Sequence, residues 1–202
     1  MGKKQKKQNE ADKTEEVVEF TPQREESPYL ISLYGKVDEE ECSELIHALY
    51  AQKLICDKGI RKPKPVKLIV STHGGDAVEM FALYDMLKNV QKTFPVHTIG
   101  LGKVMSAGTL LLASGTKGKR RIGANCRVML HNVKGMPPQP DCYEVLENEI
   151  REIEWFQDKY ISAMVKETRL TEEELRDIIH SRQNIYLSAK EAIKCGLADK
   201  IV

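Results

Sequence analysis

No stretch of this chain reaches the ~20 consecutive apolar residues that cross a bilayer, and its first residues lack the apolar core of a secretory signal. A surplus of one charge is missing too. The 31 Lys and Arg residues nearly balance 30 Asp and Glu, for a net charge of +1. That balance gives no electrostatic reason to expect nucleic acid or an acidic membrane surface as partner. Cysteine is sparse. Five are present (Cys42, Cys56, Cys126, Cys142 and Cys195), an odd number without a C-x-x-C pair. This argues against a disulfide framework or a zinc site and for reduced thiols in a cytosol-like compartment. None of the five lies in a glycine-rich turn, so burial as small apolar residues is their expected fate. The G-x-x-x-x-G-K-[ST] loop is also absent, which excludes a P-loop nucleotide site.

What remains is 202 residues, 41% of them hydrophobic, enough for one domain with a sizeable core. Residues 1–28 are rich in Lys and Glu and carry little to bury, so they are expected to be a disordered tail or propeptide. The folded domain is expected from 29 to 202. Tyr29–Tyr34 reads as a strand ending at Gly35, and Asp38 with Glu41 resembles a capping box. Cys42, Leu45, Leu49, Tyr50 and Leu54 follow at helical spacing. Val66–Val70 is a second strand, followed by a turn through Gly74 and Gly75. A helix follows with Ala77, Met80, Phe81, Tyr84 and Leu87 on one face. Val96–Ile99 and Arg127–His131 are further strands, and this alternation predicts βαβ units.

Beyond Pro137, Pro138 and Pro140, one apolar stripe runs from about Asp141 to Thr168: Tyr143, Leu146, Ile150, Ile153, Phe156, Tyr160 and Met164. At ~1.5 Å per residue that helix is about 40 Å long, more than so small a domain needs for its own core. It is expected to project and pack against another copy. Thr171 with Glu174 opens a shorter helix to about His180, and a last helix from Ser188 to Cys195 closes at Gly196.

The chemistry gathers around Gly100–Gly115. A strand leads into a glycine-flanked turn at Ser106, and an apolar helix follows. A serine there can present its hydroxyl above unpaired backbone N–H groups suited to a developing oxyanion. The Gly74-Gly75 turn can supply a second N–H, and His131, ending another strand, is a natural general base. All three lie at carboxyl ends of strands, where a parallel α/β sheet collects its reactive groups.

Together these stretches resemble the ClpP-like serine peptidases, the proteolytic subunits of the Clp proteases. The resemblance covers about Tyr29 to Val202. It is carried by Gly74-Gly75, Gly102-Lys-Val-Met-Ser106-Ala-Gly108, Lys117-Gly-Lys-Arg120, Arg127-Val-Met-Leu-His131 and Leu187-Ser-Ala189 with Gly196-Leu197. It implies an α/β fold of the ClpP/crotonase type, built of repeated ββα units with a long projecting helix. Ser106 would be the nucleophile and His131 the base. Gly75 and Ala107 would form the oxyanion hole, and peptides would be cleaved through an acyl-enzyme without metal or organic cofactor. It further implies stacked heptameric rings joined through the 141–168 helix. The substrate would be unfolded protein or peptide, supplied by an AAA+ unfoldase in the cytoplasm.

The pattern departs from the family at three places. Asn184 stands where the family has the Asp that orients the base, next to Gln183 in place of a ring-pairing Arg, and Asp177 is the nearest acid in sequence. His73 replaces the proline before Gly-Gly. The positions matching the unfoldase-docking groove read Lys67, Ile69, Asn89 and Arg121, three of them polar or charged. An α/β-hydrolase esterase is a poor alternative, since Ser106 lacks G-x-S-x-G and no acid lies between it and His131. A crotonase-type acyl-CoA enzyme would not need Ser106 and His131 together. The alternative that stands is a weakly active or inactive ring subunit that assembles with an active paralogue.

Overall fold

The computed structural model describes residues 29–133, 143–181 and 183–202. The expected tail 1–28 and the proline loop lie outside them. In chain order the elements are β1 (Tyr29–Val37), α1 (Glu39–Asp57), β2 (Val66–Gly75), α2 (Ala77–Val90), β3 (Val96–Met105) and α3 (Ala107–Ala113). Then follow β4 (Arg121–Ile122), β5 (Arg127–Leu130), α4 (Tyr143–Glu167), α5 (Glu172–His180), β6 (Ile185–Leu187), α6 (Ala189–Lys194) and β7 (Lys200–Ile201).

The sheet runs β1-β2-β3-β4-β7, and every pair along that path is parallel. β3 is long enough to fork the sheet. Its first half pairs with β4 at Ile99 and Gly100, and its second half pairs with β5 from Lys103 to Met105. Gly102, at φ 65, lies between the two halves, in a backbone region that costs a glycine no steric strain. β6 returns antiparallel to β5.

The strands run further than expected. β1 does not end at Gly35 but bulges there, φ 86, and continues to Val37. The segment expected to be a turn before Gly75 is the second half of β2, and β3 continues past Ile99 to Met105. In each case ladder hydrogen bonds to a neighbouring strand outweigh the local turn preference of glycine.

α1 buries Cys42, Leu45, Leu49, Gln52 and Cys56, whereas Tyr50 and Leu54, expected on its inner stripe, are exposed. A rotation of the stripe by less than one residue accounts for this, because a polar Gln52 is tolerated inside. Asp38 caps the helix by accepting from Glu41 N–H at 3.2 Å. The boxes at Thr171/Glu174 and Ser188/Glu191 are both reciprocal. α3 is buried all round, with Leu110, Leu111 and Leu112 fully inaccessible, so it forms the centre of the core. α4 behaves oppositely. Its last turns bury Tyr160, Ile161 and Met164, while Ile150 (54%) and Trp155 (52%) remain exposed nearer its start. The expectation of a projecting helix agrees with this exposure.

The end of α4 is pinned by charge. Glu167, 1% exposed, pairs with Lys88 at 3.0 Å and Lys117 at 3.3 Å, and accepts from the Tyr84 hydroxyl at 3.0 Å. Its carbonyl accepts from Arg120 at 2.7 Å, and Arg120 also holds Asp199. Burial alone raises the Glu167 carboxyl, but the bond and charge of Lys88, the Tyr84 hydroxyl and the charge of Lys117 together hold it below the usual range. The stability this provides is therefore present above the ordinary carboxylate range and lost as pH falls through the lowered pKa. Glu167 is buried while both lysines reach solvent, so Glu167→Gln is expected to cost between an exposed and a buried pair, about 1–3 kcal/mol at pH 7. Urea unfolding should show that difference shrinking toward pH 3; a gap constant with pH would contradict the ionic origin.

Candidate active site

Serines and threonines that precede helices usually cap them, and in this chain Thr171 and Ser188 do. Ser106 occupies the same position before α3, yet its side chain makes no capping bond. Its backbone lies at φ 53, ψ −124, and it is the one non-glycine residue at positive φ among the described residues. For an L-residue with a Cβ this conformation costs of order 1–3 kcal/mol, and it persists only where its surroundings impose it.

Those surroundings are specific. Ser106 N–H donates to the Met129 carbonyl at 2.8 Å, tying the turn to β5. The Ser106 carbonyl accepts from Thr109 N–H at 2.9 Å and from the Thr109 hydroxyl at 2.6 Å. On the other side the β2 backbone passes at Gly74, where a Cβ would lie 2.5 Å from Ser106 Cβ and 3.0 Å from its Oγ. Only glycine fits there. Gly108 is equally constrained, since a Cβ would stand 2.4 Å from Thr72 Cγ2, so α3 seats directly on β2.

The Gly74 N–H is already engaged, donating at 2.9 Å to Thr72 Oγ1, which in turn donates to the Gly35 carbonyl at 2.8 Å. The next residue, Gly75, ends β2 against Val37, whose carbonyl would lie 2.1 Å from an added Cβ. Ala107 is the first residue of α3, so its N–H has no intrahelical acceptor.

The sheet brings the remaining residues to the same end. Met105 pairs with Met129, so Ser106 and His131 each lie just beyond the carboxyl ends of adjacent parallel strands. Leu130 pairs with Ile185 in the antiparallel β5–β6 ladder, and His131 and Asn184 are the residues that follow and precede that last pair. His131 is half-buried, with Nδ1 out of contact with solvent, while Asn184 is exposed. Asp177 lies on α5 and is exposed. Gly75, Ser106, Ala107, His131 and Asn184 therefore share one end of the sheet, though they come from four segments of the chain.

The thiols stand apart. Cys42, Cys56 and Cys126 are buried, and burial pushes Cys42 up to about 12 and Cys126 up to about 11. Cys195, half-buried, is raised by the same cause. The raised thiols of Cys42, Cys126 and Cys195 stay protonated and are poor nucleophiles. Sequence reasoning missed Thr72, Thr109 and Tyr160. The only signal for the first two was a hydroxyl within an otherwise apolar or glycine-rich run, and Tyr160 was read only as part of an apolar stripe.

The family model described as Clp protease matches residues 24–202. The chain is 30% identical over 165 residues to the "ATP-dependent Clp protease proteolytic subunit" of Deinococcus radiodurans, covering 79% of this chain and 75% of that protein. It is 32% identical over 158 residues to the "ATP-dependent Clp protease proteolytic subunit 2" of Prochlorococcus marinus strain NATL2A, covering 78% and 76%. To the "ATP-dependent Clp protease proteolytic subunit 1" of Corynebacterium glutamicum it is 28% identical over 185 residues, covering 88% and 84%. The chain belongs to the Clp protease family and is a ClpP-like peptidase, a hydrolase. The mixed α/β architecture with its parallel sheet accords with that fold.

Proposed function

We propose that residues 29–202 form a serine endopeptidase domain that cleaves unfolded proteins or peptides inside a ring of its own copies. The observation that carries this reading is the strained Ser106, whose hydroxyl is unused as a cap and stands beside Gly74. In this mechanism Ser106 Oγ attacks the scissile carbonyl as His131 takes its proton. The oxyanion is held by the N–H groups of Gly75 and Ala107. Collapse expels the amine, which receives the proton from His131 and leaves an acyl-Ser106 ester. Water, deprotonated by His131, then releases the acid and restores the serine. Asn184, next to the β5–β6 pair Leu130↔Ile185, is assigned to fix the tautomer of His131, though it cannot balance the imidazolium charge. Labelling with a fluorophosphonate, followed by mass spectrometry of the modified peptide, tests this. Modification at Ser106 is the expected result, and failure to label the assembled protein would refute it.

A second reading follows from Asn184 alone: a weakly active or inactive ring subunit that serves assembly with an active ClpP paralogue. The same labelling separates the two, since an inactive subunit would leave Ser106 unmodified.

Assembly is the second part of the proposal. α4 spans 25 residues, longer than its buried end at Tyr160, Ile161 and Met164 needs, and leaves Ile150 and Trp155 more than half exposed nearer its start. Native mass spectrometry is expected to find seven or fourteen copies, alone or mixed with a paralogue, and a monomer under all conditions would rule the ring out.

The third part concerns delivery of substrate by an AAA+ unfoldase, in the cytoplasm. Among the described residues no helix is long and apolar enough to cross a membrane. Register aligns Lys67 with His97, and Ile69 with Ile99 and Arg121, across one sheet face. His97 lies below the ordinary imidazole range, first through burial and then through the charges of Lys119, Arg121 and Lys67. Covering these cations with an apolar loop would cost several kcal/mol, enough to remove micromolar affinity. A hydrophobic unfoldase loop peptide is therefore expected to bind more weakly than ~10 μM by fluorescence anisotropy. Tight binding to the unmodified protein would contradict this.

A further inference from the structure

The strain at Ser106 needs a restraint, and most of that restraint acts on its carbonyl. Among the described residues two bonds reach it, both from Thr109: the N–H at 2.9 Å and the hydroxyl at 2.6 Å. Thr109 Oγ1 also lies 2.7 Å from the hydroxyl of Tyr160, which comes from α4 more than fifty residues later. Directions follow from proton counting. A carbonyl only accepts, so the single hydroxyl proton of Thr109 goes to Ser106, and Tyr160 must be the donor to Thr109. Thr109 is fully buried and Tyr160 is 5% exposed, so no water substitutes readily for either. Burial raises the Tyr160 phenol to about 12, which keeps its proton in place across the working pH range.

The carbonyl of Ser106 and the N–H of Ala107 belong to one planar trans peptide and point in opposite directions. Fixing one fixes the other. We infer that Tyr160 and Thr109 are positioning residues whose hydrogen-bond relay, Tyr160 to Thr109 to the Ser106 carbonyl, aims the Ala107 N–H at the developing oxyanion. This rests on the reading of Ser106 as nucleophile and Ala107 as oxyanion donor. A chain of hydroxyls polarises along its length, so removing the distal donor weakens the bond that matters. The relay also links α4, a helix that leaves the core, to the peptide next to the nucleophile.

The test compares wild type, Tyr160→Phe, Thr109→Val and Thr109→Ser as assembled full chains, with oligomer size and circular dichroism checked for each. Deleting an oxyanion donor outright costs about 10²–10³ in kcat, so loosening its aim should cost about tenfold. Tyr160→Phe and Thr109→Val are expected to lower kcat on a short fluorogenic peptide by about that factor with KM little changed. Affinity for a peptide boronate of the same sequence should fall in parallel, because it mimics the charged transition state. Thr109→Ser, which keeps the hydroxyl, should recover most of what Thr109→Val loses. A purely structural role for the pair would not make the boronate and the substrate part company. Unchanged kcat and boronate affinity in Tyr160→Phe, or a Thr109→Ser as impaired as Thr109→Val, would overturn the relay. If Thr109→Val does not assemble, Tyr160→Phe carries the test alone. Wild-type protein that fails to label at Ser106 would instead refute the underlying catalytic reading, and the two failures are distinct.

Discussion

Ser106→Ala is expected to abolish fluorophosphonate labelling and to lower peptide hydrolysis by ~10³-fold or more, since loss of the nucleophile removes the covalent route entirely. The fold should survive the change. Alanine keeps the Ser106 Cβ that leaves no room for a side chain at Gly74, and the bonds to Met129 and Thr109 use the Ser106 backbone. Alanine at φ 53 is strained much as serine is, so stability should barely move. Ser106→Gly sharpens the point. Glycine adopts positive φ freely, so this variant should lose activity equally while its melting temperature stays level or rises. Residual labelling in either variant would place the nucleophile elsewhere, and a collapse of stability in Ser106→Ala would make the serine structural.

Asn184→Asp is expected to raise hydrolysis by tenfold or more without altering assembly. In chymotrypsin-like enzymes the reverse change at the orienting position costs about 10⁴ in kcat, or ~5.5 kcal/mol of transition-state stabilisation. Part of that cost is a wrong imidazole tautomer, and a site built around Asn has already settled the tautomer. What remains is a missing negative charge beside the imidazolium. Residue 184 directly precedes the β5–β6 pair Leu130↔Ile185 and is exposed, so an ionised Asp meets little desolvation penalty there. Measuring kcat/KM on a short fluorogenic peptide, with oligomer size alongside, decides the matter. An unchanged or lower rate in intact assemblies would mean that residue 184 does not act on His131, or that a carboxylate such as Asp177 already serves.

Much of the local structure was legible because it is written in local chemistry. The Thr171/Glu174 box could be read from a pair of residues three apart, and the burial of Cys42, Cys56 and Cys126 from their place outside any glycine-rich turn; Cys195 is only half-buried, and Cys142 lies outside the described residues. The exposed stretch of α4 followed from a stripe longer than a small core can cover. Strand lengths were not legible. Gly35, Gly74, Gly100 and Gly102 all read as punctuation, but β1, β2 and β3 pass through them because parallel neighbours supply the ladder bonds. Nor was β4, two residues long, visible as a strand, since its existence depends on Ile99 and Gly100 lying alongside.

The site divides in the same way. Sequence by itself determined which residue types were available and their order: a glycine-flanked Ser106 before a helix, His131 ending a strand, Gly74-Gly75 in a turn after another, and Asn184 shortly before the Leu187-Ser-Ala189 stretch. Each of these is a statement about near neighbours. Only the tertiary structure decided that Ser106 is held at positive φ with its hydroxyl free of capping duty, because the forces that hold it come from Met129, Gly74 and Thr109. Only it showed that Tyr160, from a helix far along the chain, reaches the same carbonyl through Thr109. Backbone strain and hydrogen-bond relays are properties of contacts between distant segments, and periodicity along a chain carries no record of them.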